Sequence, residues 1–419
     1  MVRAFKKRHI LFFVVFITVA LVLYFVTPDS FPYVFKNVIS NNAGVLSSTT
    51  SSTTENVFIV KHIETPKQVK VIYMSSCVAG TPSFREKLVD IAKTTEINSL
   101  IIDIKDYSGL VSIMTGNDVF DKSYQLSDCR VRDMKEFIEH LHDLDIYVIG
   151  RITAFQDSYI TKIHPEWAVK KNSDKNVLWK DRKGISFVDA GNKEMWKYLV
   201  DLAKASYAIG FDEINLDYIR FPSDGNMNDI YYPWSNDIII NNIASNAIGT
   251  STPAVKGGKS IIMRNFFEYL HDNLKDTGIV ISADLFGMTT TNYDDLNIGQ
   301  ILEDAAPYFD YIAPMVYPSH YPVGFLNYKS VAEVNANGYN IVNYSMKIAV
   351  ERLKAIGENP LKLRPWLQDN DYPVRYTSAM VREQIQATYD SGLDSWMLWD
   401  AGNTYTVEAL LPKATSTIR

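Results

Sequence analysis

The stretch Phe211–Pro222, FDEINLDYIRFP, alternates acidic or amide side chains with apolar ones and then breaks at a proline. Successive side chains of a strand point to opposite faces, so Glu213, Asn215 and Asp217 share one side and Ile214, Leu216 and Tyr218 the other. Such a strand needs a covered apolar face and a second face on which buried polar groups are paired or used.

The rest of the chain supplies that setting. From residue 69 onward, short runs rich in Val, Ile and Tyr alternate with amphipathic stretches of helical period, the pattern of βα units and a parallel sheet. The runs are VKVIYMS (69–75), SLIIDIKD (99–106), IYVIGRIT (146–153), DEINLDYIRF (212–221), IVISADLFG (279–287), DYIAPMVYP (310–318), KLRPWLQ (362–368) and SWMLWD (395–400). Helical stretches lie at 82–96, 131–144, 193–209, 260–276, 298–309, 341–357 and 377–392. Eight strands with seven intervening helices fit a (β/α)8 TIM barrel enlarged by loops. A doubly wound open sheet is the alternative, but no G-x-G-x-x-G follows the first strand.

In a barrel, alternate strand residues face the lumen, and chemistry gathers at the C-terminal strand ends. Glu213, Asn215 and Asp217 then point inward, with Asp217 nearest the mouth. The same parity turns Ser282 and Asp284 inward, and likewise Asp103 and Lys105, with Asp106 at the rim. Arg151, Tyr317, Gln368 and Asp400 fall at or near the ends of four other strands. Glu213 and Asp103, lying deeper, read as partners of Arg or Lys, and Arg220 reads as a salt-bridge partner or a substrate contact.

Two carboxylates on adjacent strands of a barrel mouth point to glycoside hydrolysis, one as proton donor and the other as nucleophile or base. Strands about 4.8 Å apart can hold two carboxyl groups at the roughly 5–5.5 Å of retaining enzymes. The expectation is Asp217 as nucleophile and Asp284 as acid/base, with Asp106 and Asp400 next in line for the acid. Lys105, Asp106, Arg151, Arg220, Tyr317, Trp366, Gln368, Trp399 and Asp400 are the expected substrate contacts. Aromatic residues make up 12% of the chain, and Trp167, Trp179 and Trp234 sit in the two long connections, 154–192 and 222–258, that would wall a groove. Asp189 reads as a helix-start residue.

Composition excludes other classes. The 419 residues are 47% hydrophobic and 21% charged, enough for a large core. Net charge is −6, and Arg3, Lys6, Lys7 and Arg8 all precede the first acidic residue, which leaves −10 on the remainder. That balance argues against a nucleic-acid partner. No G-x-S-x-G occurs, and the one His-x-His pair, His140 and His142, falls in a helix ahead of the third strand, where it reads as a solvated face. No cofactor or metal is expected.

The N-terminal cations precede ILFFVVFITVALVLYFV (Ile10–Val26), an apolar run at the short end of the roughly 17–25 residues that cross a bilayer. No small-x-small cleavage site follows. Residues 1–27 therefore read as a basic cytoplasmic tip and an uncleaved transmembrane signal anchor, with a cleaved signal peptide as the alternative. Residues 28–64, including the Ser/Thr-rich VISNNAGVLSSTTSSTTEN, read as a flexible linker, and 65–419 as the barrel. The barrel would then sit outside the cytoplasm, tethered to the cell membrane. Cys77 and Cys129, at the same end of neighbouring elements, would there be either a disulfide or two free thiols.

The sequences GFDEINLDYIRFP, FVDAGNKEMWKYLVDLAKASYAIG, ISADLFGM and YIAPMVYPSHY together resemble an uncharacterised family of bacterial TIM-barrel proteins, a domain of unknown function grouped with glycoside hydrolases and distantly similar to the α-amylase and α-galactosidase superfamilies. The resemblance spans about residues 69–402 and implies that Asp217 matches the nucleophile position at the end of strand four. An α-amylase-like enzyme would carry Arg two residues before that Asp and Glu at the end of strand five, where Asn215 and Asp284 stand. An α-galactosidase-like enzyme would take its acid from strand six, which here ends in Tyr317. A membrane-tethered barrel that binds a glycan without cleaving it is the reading from a different class.

Overall fold

The computed structural model describes residues 60–246 and 257–413. Eight parallel strands close into a barrel in sequence order, with β8 pairing back onto β1. They are β1 (Lys70–Met74), β2 (Ser99–Lys105), β3 (Tyr147–Thr153), β4 (Glu213–Asp217), β5 (Val280–Phe286), β6 (Tyr311–Met315), β7 (Trp366–Gln368) and β8 (Trp396–Trp399). Each corresponds to one of the expected apolar runs. Of the helices in the connections between them, seven correspond to the expected stretches: α1 (Pro82–Thr94), α2 (Met134–Asp143), α3 (Lys193–Tyr207), α4 (Gly258–Leu274), α5 (Leu302–Ala305), α6 (Gly338–Ala355) and α7 (Ser378–Asp390). The helix expected over 298–309 is a single turn, because Gly299 takes φ 86° ahead of it and Pro307 follows.

The alternation of β4 produces two concentric cores. Ile214 and Leu216 join the outer one, packed between the strands and the surrounding helices with residues such as Leu199, Phe211 and Phe267. The inner one fills the lumen and contains Val71, Tyr73, Ile101, Tyr147, Ile149, Trp366 and Met397. A barrel lumen is a packed layer stack rather than a pore. Its lower layer holds Glu213, which accepts from Arg364 Nη1 at 2.8 Å and from the Tyr147 hydroxyl at 3.1 Å. Residues 62–65 close that end: Ile63 N donates to Asp212 at 2.9 Å, His62 stacks on Tyr207 at 3.8 Å, and Thr65 Oγ1 lies 3.0 Å from the Tyr147 hydroxyl. Chain packed on the barrel thus starts ahead of residue 65. His142 is also buried here, 2.9 Å from Asp212, so only His140 of that pair faces solvent.

Three local departures shape the upper end. In β2 the pairing skips a residue, from Asp103 opposite Arg151 to Lys105 opposite Ile152, a bulge that reverses the parity after Asp103. β4 stops at Asp217 because Tyr218 takes φ 52°, a left-handed conformation that ends the ladder. β6 and β7 share one register pair, Met315 with Trp366, since Pro314 and Pro365 lack N–H donors. Cys77 and Cys129 form a disulfide with Cα atoms 4.3 Å apart. Among the described residues no helix is long and apolar enough to cross a membrane. The expected anchor at Ile10–Val26 and most of the expected linker lie outside those residues.

Candidate active site

Arg151 is the centre of the upper lumen layer. Its guanidinium reaches three strands: Nη1 donates to Asp103 Oδ1 at 2.7 Å, Nη2 donates to Asp217 Oδ2, and Nε lies 3.8 Å from Asp284 Oδ2. Tyr73 donates its hydroxyl to Asp103 Oδ2 at 2.5 Å. The Tyr73 and Trp399 rings, packed on each other at 4.3 Å, lie together beside the guanidinium, with centroids 5.8 and 5.6 Å away. All four charged groups are buried, Asp284 to 1% exposure.

One cation cannot neutralise three buried carboxylates, so the cluster holds a proton. Asp284 is the group placed to carry it: burial first, and then the charge of Asp217, push it up to about 8. Its Oδ1 accepts from Asn215 Nδ2 at 2.9 Å and from Trp366 Nε1 at 2.8 Å. Both protein donors address one oxygen, which leaves Oδ2 to bear the proton. Asp217 is held differently. Arg151 grips its Oδ2, while the backbone N–H of Tyr218 donates to Oδ1 at 2.6 Å, an approach that the left-handed turn at Tyr218 makes possible. Two carboxyl groups on neighbouring strands therefore have different surroundings: Asp217 is held on both oxygens, whereas the donors to Asp284 address one.

Both open onto a cleft of about 180 Å³ lined by Arg151, Asp217, Tyr218, Arg220, Asp284, Phe286, Met315, Tyr317, His320, Trp366 and Trp399. Trp366 stands perpendicular to Trp399 at 5.7 Å. Burial lowers the pKa of His320, keeping its ring neutral. Of the residues expected at the site, Asp217, Asp284, Arg151, Arg220, Tyr317, Trp366 and Trp399 meet in this cleft.

Four others do not. Lys105, displaced by the β2 bulge, is wholly buried on the helix side, paired with Asp157 at 2.8 Å and donating to the Thr153 carbonyl. Asp106 caps its own turn through Ser108 N at 2.9 Å. Gln368 bonds the Asn370 and Tyr372 carbonyls and Ser319 N, tying loops together. Asp400 turns back to Gly402 N. Asp189 is fully buried, accepting from Gly191 N, Trp234 N and Ser235 N, so it clasps the two long connections, while Asn192 caps α3 through Met195 N. Trp179 is likewise buried packing. Residues missed at the site are Tyr73, Tyr218, Phe286, Met315 and His320. Tyr218 was placed on the helix side because nothing in its sequence marks the left-handed turn. Among the described residues no group of three or more His, Cys, Asp or Glu is arranged to hold a metal ion.

Residues 71–405 match the sequence profile of the family described as "Putative glycosyl hydrolase domain". The chain belongs to that family. Similarity to solved structures extends over most of the barrel. The glycoside hydrolase domain of PgaB (BpsB) from Bordetella bronchiseptica is 12% identical, with 81% of this chain and 95% of that one covered and a TM-score of 0.54. The β-galactosidase of the psychrophilic Marinomonas ef1 is 10% identical over 79% of this chain and 54% of that one, with a TM-score of 0.51. A hypothetical protein from Ruminiclostridium thermocellum ATCC 27405 is 29% identical over 51% of this chain and 96% of that one, with a TM-score of 0.40. At 10–12% identity the first two likenesses concern the barrel fold alone. No curated protein matches.

Proposed function

We propose that this glycosyl hydrolase family member cleaves glycosidic bonds in a polysaccharide or cell-envelope glycan by a two-carboxylate retaining mechanism, with Asp217 as nucleophile and Asp284 as acid/base. The observation that carries the proposal is the contrast between the two carboxyls: Asp217 gripped by Arg151 and a backbone N–H, Asp284 buried and pushed up to about 8. Asp284 donates its proton to the leaving oxygen as Asp217 bonds the anomeric carbon and the glycosidic C–O bond breaks; water, giving a proton to Asp284, then attacks that carbon and releases Asp217. Arg151 Nε, which has no hydrogen-bond partner, faces Asp284 Oδ2 and can receive the carboxylate that forms when the proton leaves. Trp399, partly exposed, offers an aromatic surface to a pyranose ring, with the buried Trp366 and Tyr317 lining the cleft behind it.

The proposal extends to location: Ile10–Val26 as a membrane anchor, with the barrel outside the cytoplasm. The disulfide supports an oxidising compartment. Asp217→Asn is expected to abolish turnover of every glycan that the wild type cleaves. Asp284→Asn is expected to lose about 10²–10⁴-fold on natural leaving groups, far less on activated aryl glycosides, and to regain rate with external azide. Near-normal turnover in Asp217→Asn sinks the assignment. Glycan binding without new reducing ends in the wild type favours the non-catalytic reading.

A further inference from the structure

Arg220 is the cation in the cleft that the catalytic pair leaves unused. Arg151 is committed to three carboxyl groups, and His320 is kept neutral by burial. Among the described residues Arg220 has no carboxylate partner, so its expected role in a salt bridge is not met. Its hydrogen bonds, to the Phe221 carbonyl and Ser223 Oγ at 3.1 Å each, both run through Nη1. The guanidinium lies against the Tyr218 ring, 4.7 Å from its centroid, which fixes its plane and leaves Nε and Nη2 free. A planar fork held this way beside Asp217 suits an oxyanion, which it can take in two parallel charge-assisted bonds.

A second feature continues from the same wall. Residues 170–183, KKNSDKNVLWKDRK, carry six cations against two carboxylates, a net +4 in a chain of net −6. They fold back on themselves through bridges pairing Lys170 with Leu178 and Lys180 with Ser186. Lys171, Lys175, Lys180, Arg182 and Lys183 are exposed, and none makes a salt bridge among the described residues. The hairpin abuts the loop that starts at Arg220: Trp179 Nε1 donates to the Asn226 carbonyl at 2.9 Å, and a Cβ on Gly225 would lie 2.7 Å from the Trp179 ring. Five residues span at most about 18 Å, so the basic strip begins within a few sugar lengths of the carboxylates.

We infer that the substrate is an anionic glycan, with a carboxylate or phosphate on the sugar beside the scissile bond held by Arg220 and the following acidic units tracking along the 170–183 hairpin. This rests on the glycoside hydrolase reading for the position of the bond. Electrostatic attraction from the strip draws a polyanion to an otherwise acidic protein, and the Arg220 fork sets which sugar enters the cleft.

The test is calorimetric binding to the full-length chain carrying Asp217→Asn. The ligands are uronate-bearing and phosphate-bearing oligosaccharides, each paired with its carboxyl-reduced or dephosphorylated counterpart. At least one acidic member is expected to bind about tenfold or more tightly than its neutral twin, since one charge-assisted pair accounts for that factor. The two ligand series tell carboxylate from phosphate. Arg220→Gln should cut each acidic-to-neutral ratio several-fold, leaving the part due to the hairpin, and Arg220→Lys should give an intermediate ratio. The triple change Lys171→Gln, Lys180→Gln and Lys183→Gln should weaken acidic ligands alone and flatten their salt dependence. Equal binding of neutral twins, or no binding by any acidic member, overturns the inference. Reducing-end release by the wild type reads the other proposal separately. Neutral glycans cleaved and acidic ones ignored would retain hydrolysis and discard the anion site; acidic glycans bound but never cleaved would do the reverse.

Discussion

Asp284 carries the sharpest consequence at the scale of single residues. Its folded pKa of about 8 lies above the ordinary carboxyl value of 3.8, so between those limits the folded protein holds a proton that the unfolded chain has released. Stability therefore falls as pH rises through that window and levels off above it, a loss on the order of a few kcal/mol for this group. Asp284→Asn keeps an oxygen to accept from Asn215 and Trp366 but removes the titration. The variant is expected to gain on the wild type in melting temperature steadily from about pH 4 to 8, and parallel curves would show that Asp284 does not titrate as placed here. Activity has the matching sign. On the proposed role of Asp284 the acid is lost as pH rises past about 8, so kcat/KM should drop on the alkaline side in the wild type, and the variant's residual rate should lack that limb. Asp217 and Asp284 were legible from strand parity because each ends an apolar run on the lumen side. Arg151 was legible as a strand-end residue, but its hold on three carboxyls was not, since a side chain's reach across the lumen leaves no local pattern. Lys105 and Tyr218 failed for one reason: a bulge and a left-handed turn each reset the face, and neither is marked here by Gly, Pro or Asn.

At the scale of elements, the site stands where the barrel is least regular. β6 and β7 share a single register pair, and Met315, Tyr317 and Trp366 from that seam all line the cleft beside Asp284. β5 ends at Phe286, and a Cβ on the next residue, Gly287, would come within 2.2 Å of the Met315 carbonyl, so backbone rather than side chain sets the spacing there. The seam was half visible in sequence, as prolines inside two apolar runs, and the eight runs were visible because β-branched and aromatic clusters bounded by helical periods are hard to mistake. The disulfide has its own energetic role. It joins the turn after β1 to the connection after β2 and closes a separation of 52 residues. Restricting the unfolded chain by such a loop stabilises the folded state by about 2–4 kcal/mol. Cys77→Ser with Cys129→Ser is expected to lose that much in denaturant unfolding while leaving the cleft's pH profile unchanged, since neither cysteine lines it. A loss under about 0.5 kcal/mol would mean that the link adds no constraint.

At the scale of the whole molecule, charge and compartment make one argument. On the proposal that the four N-terminal cations and the apolar run behind them form an anchor with its tip inside, the barrel would lie outside the cytoplasm, where a Cys77–Cys129 disulfide would persist. On the inference of an anionic substrate, an otherwise acidic protein would meet it through Arg220 in the cleft and the net +4 of the 170–183 hairpin. The arrangement predicts what protease added to intact cells will do. Cleavage between the apolar run and residue 60 should release a fragment that contains the whole closed barrel, because β8 pairs with β1 and residues 62–65 are bonded to its base. That fragment should resist further digestion and alkylate no thiol until it is unfolded with reductant. A fragment seen only after cell lysis would put the barrel in the cytoplasm. A mature chain already starting near residue 30 in untreated cells would replace the anchor with a cleaved signal peptide and leave the barrel, its disulfide and its cleft as they stand.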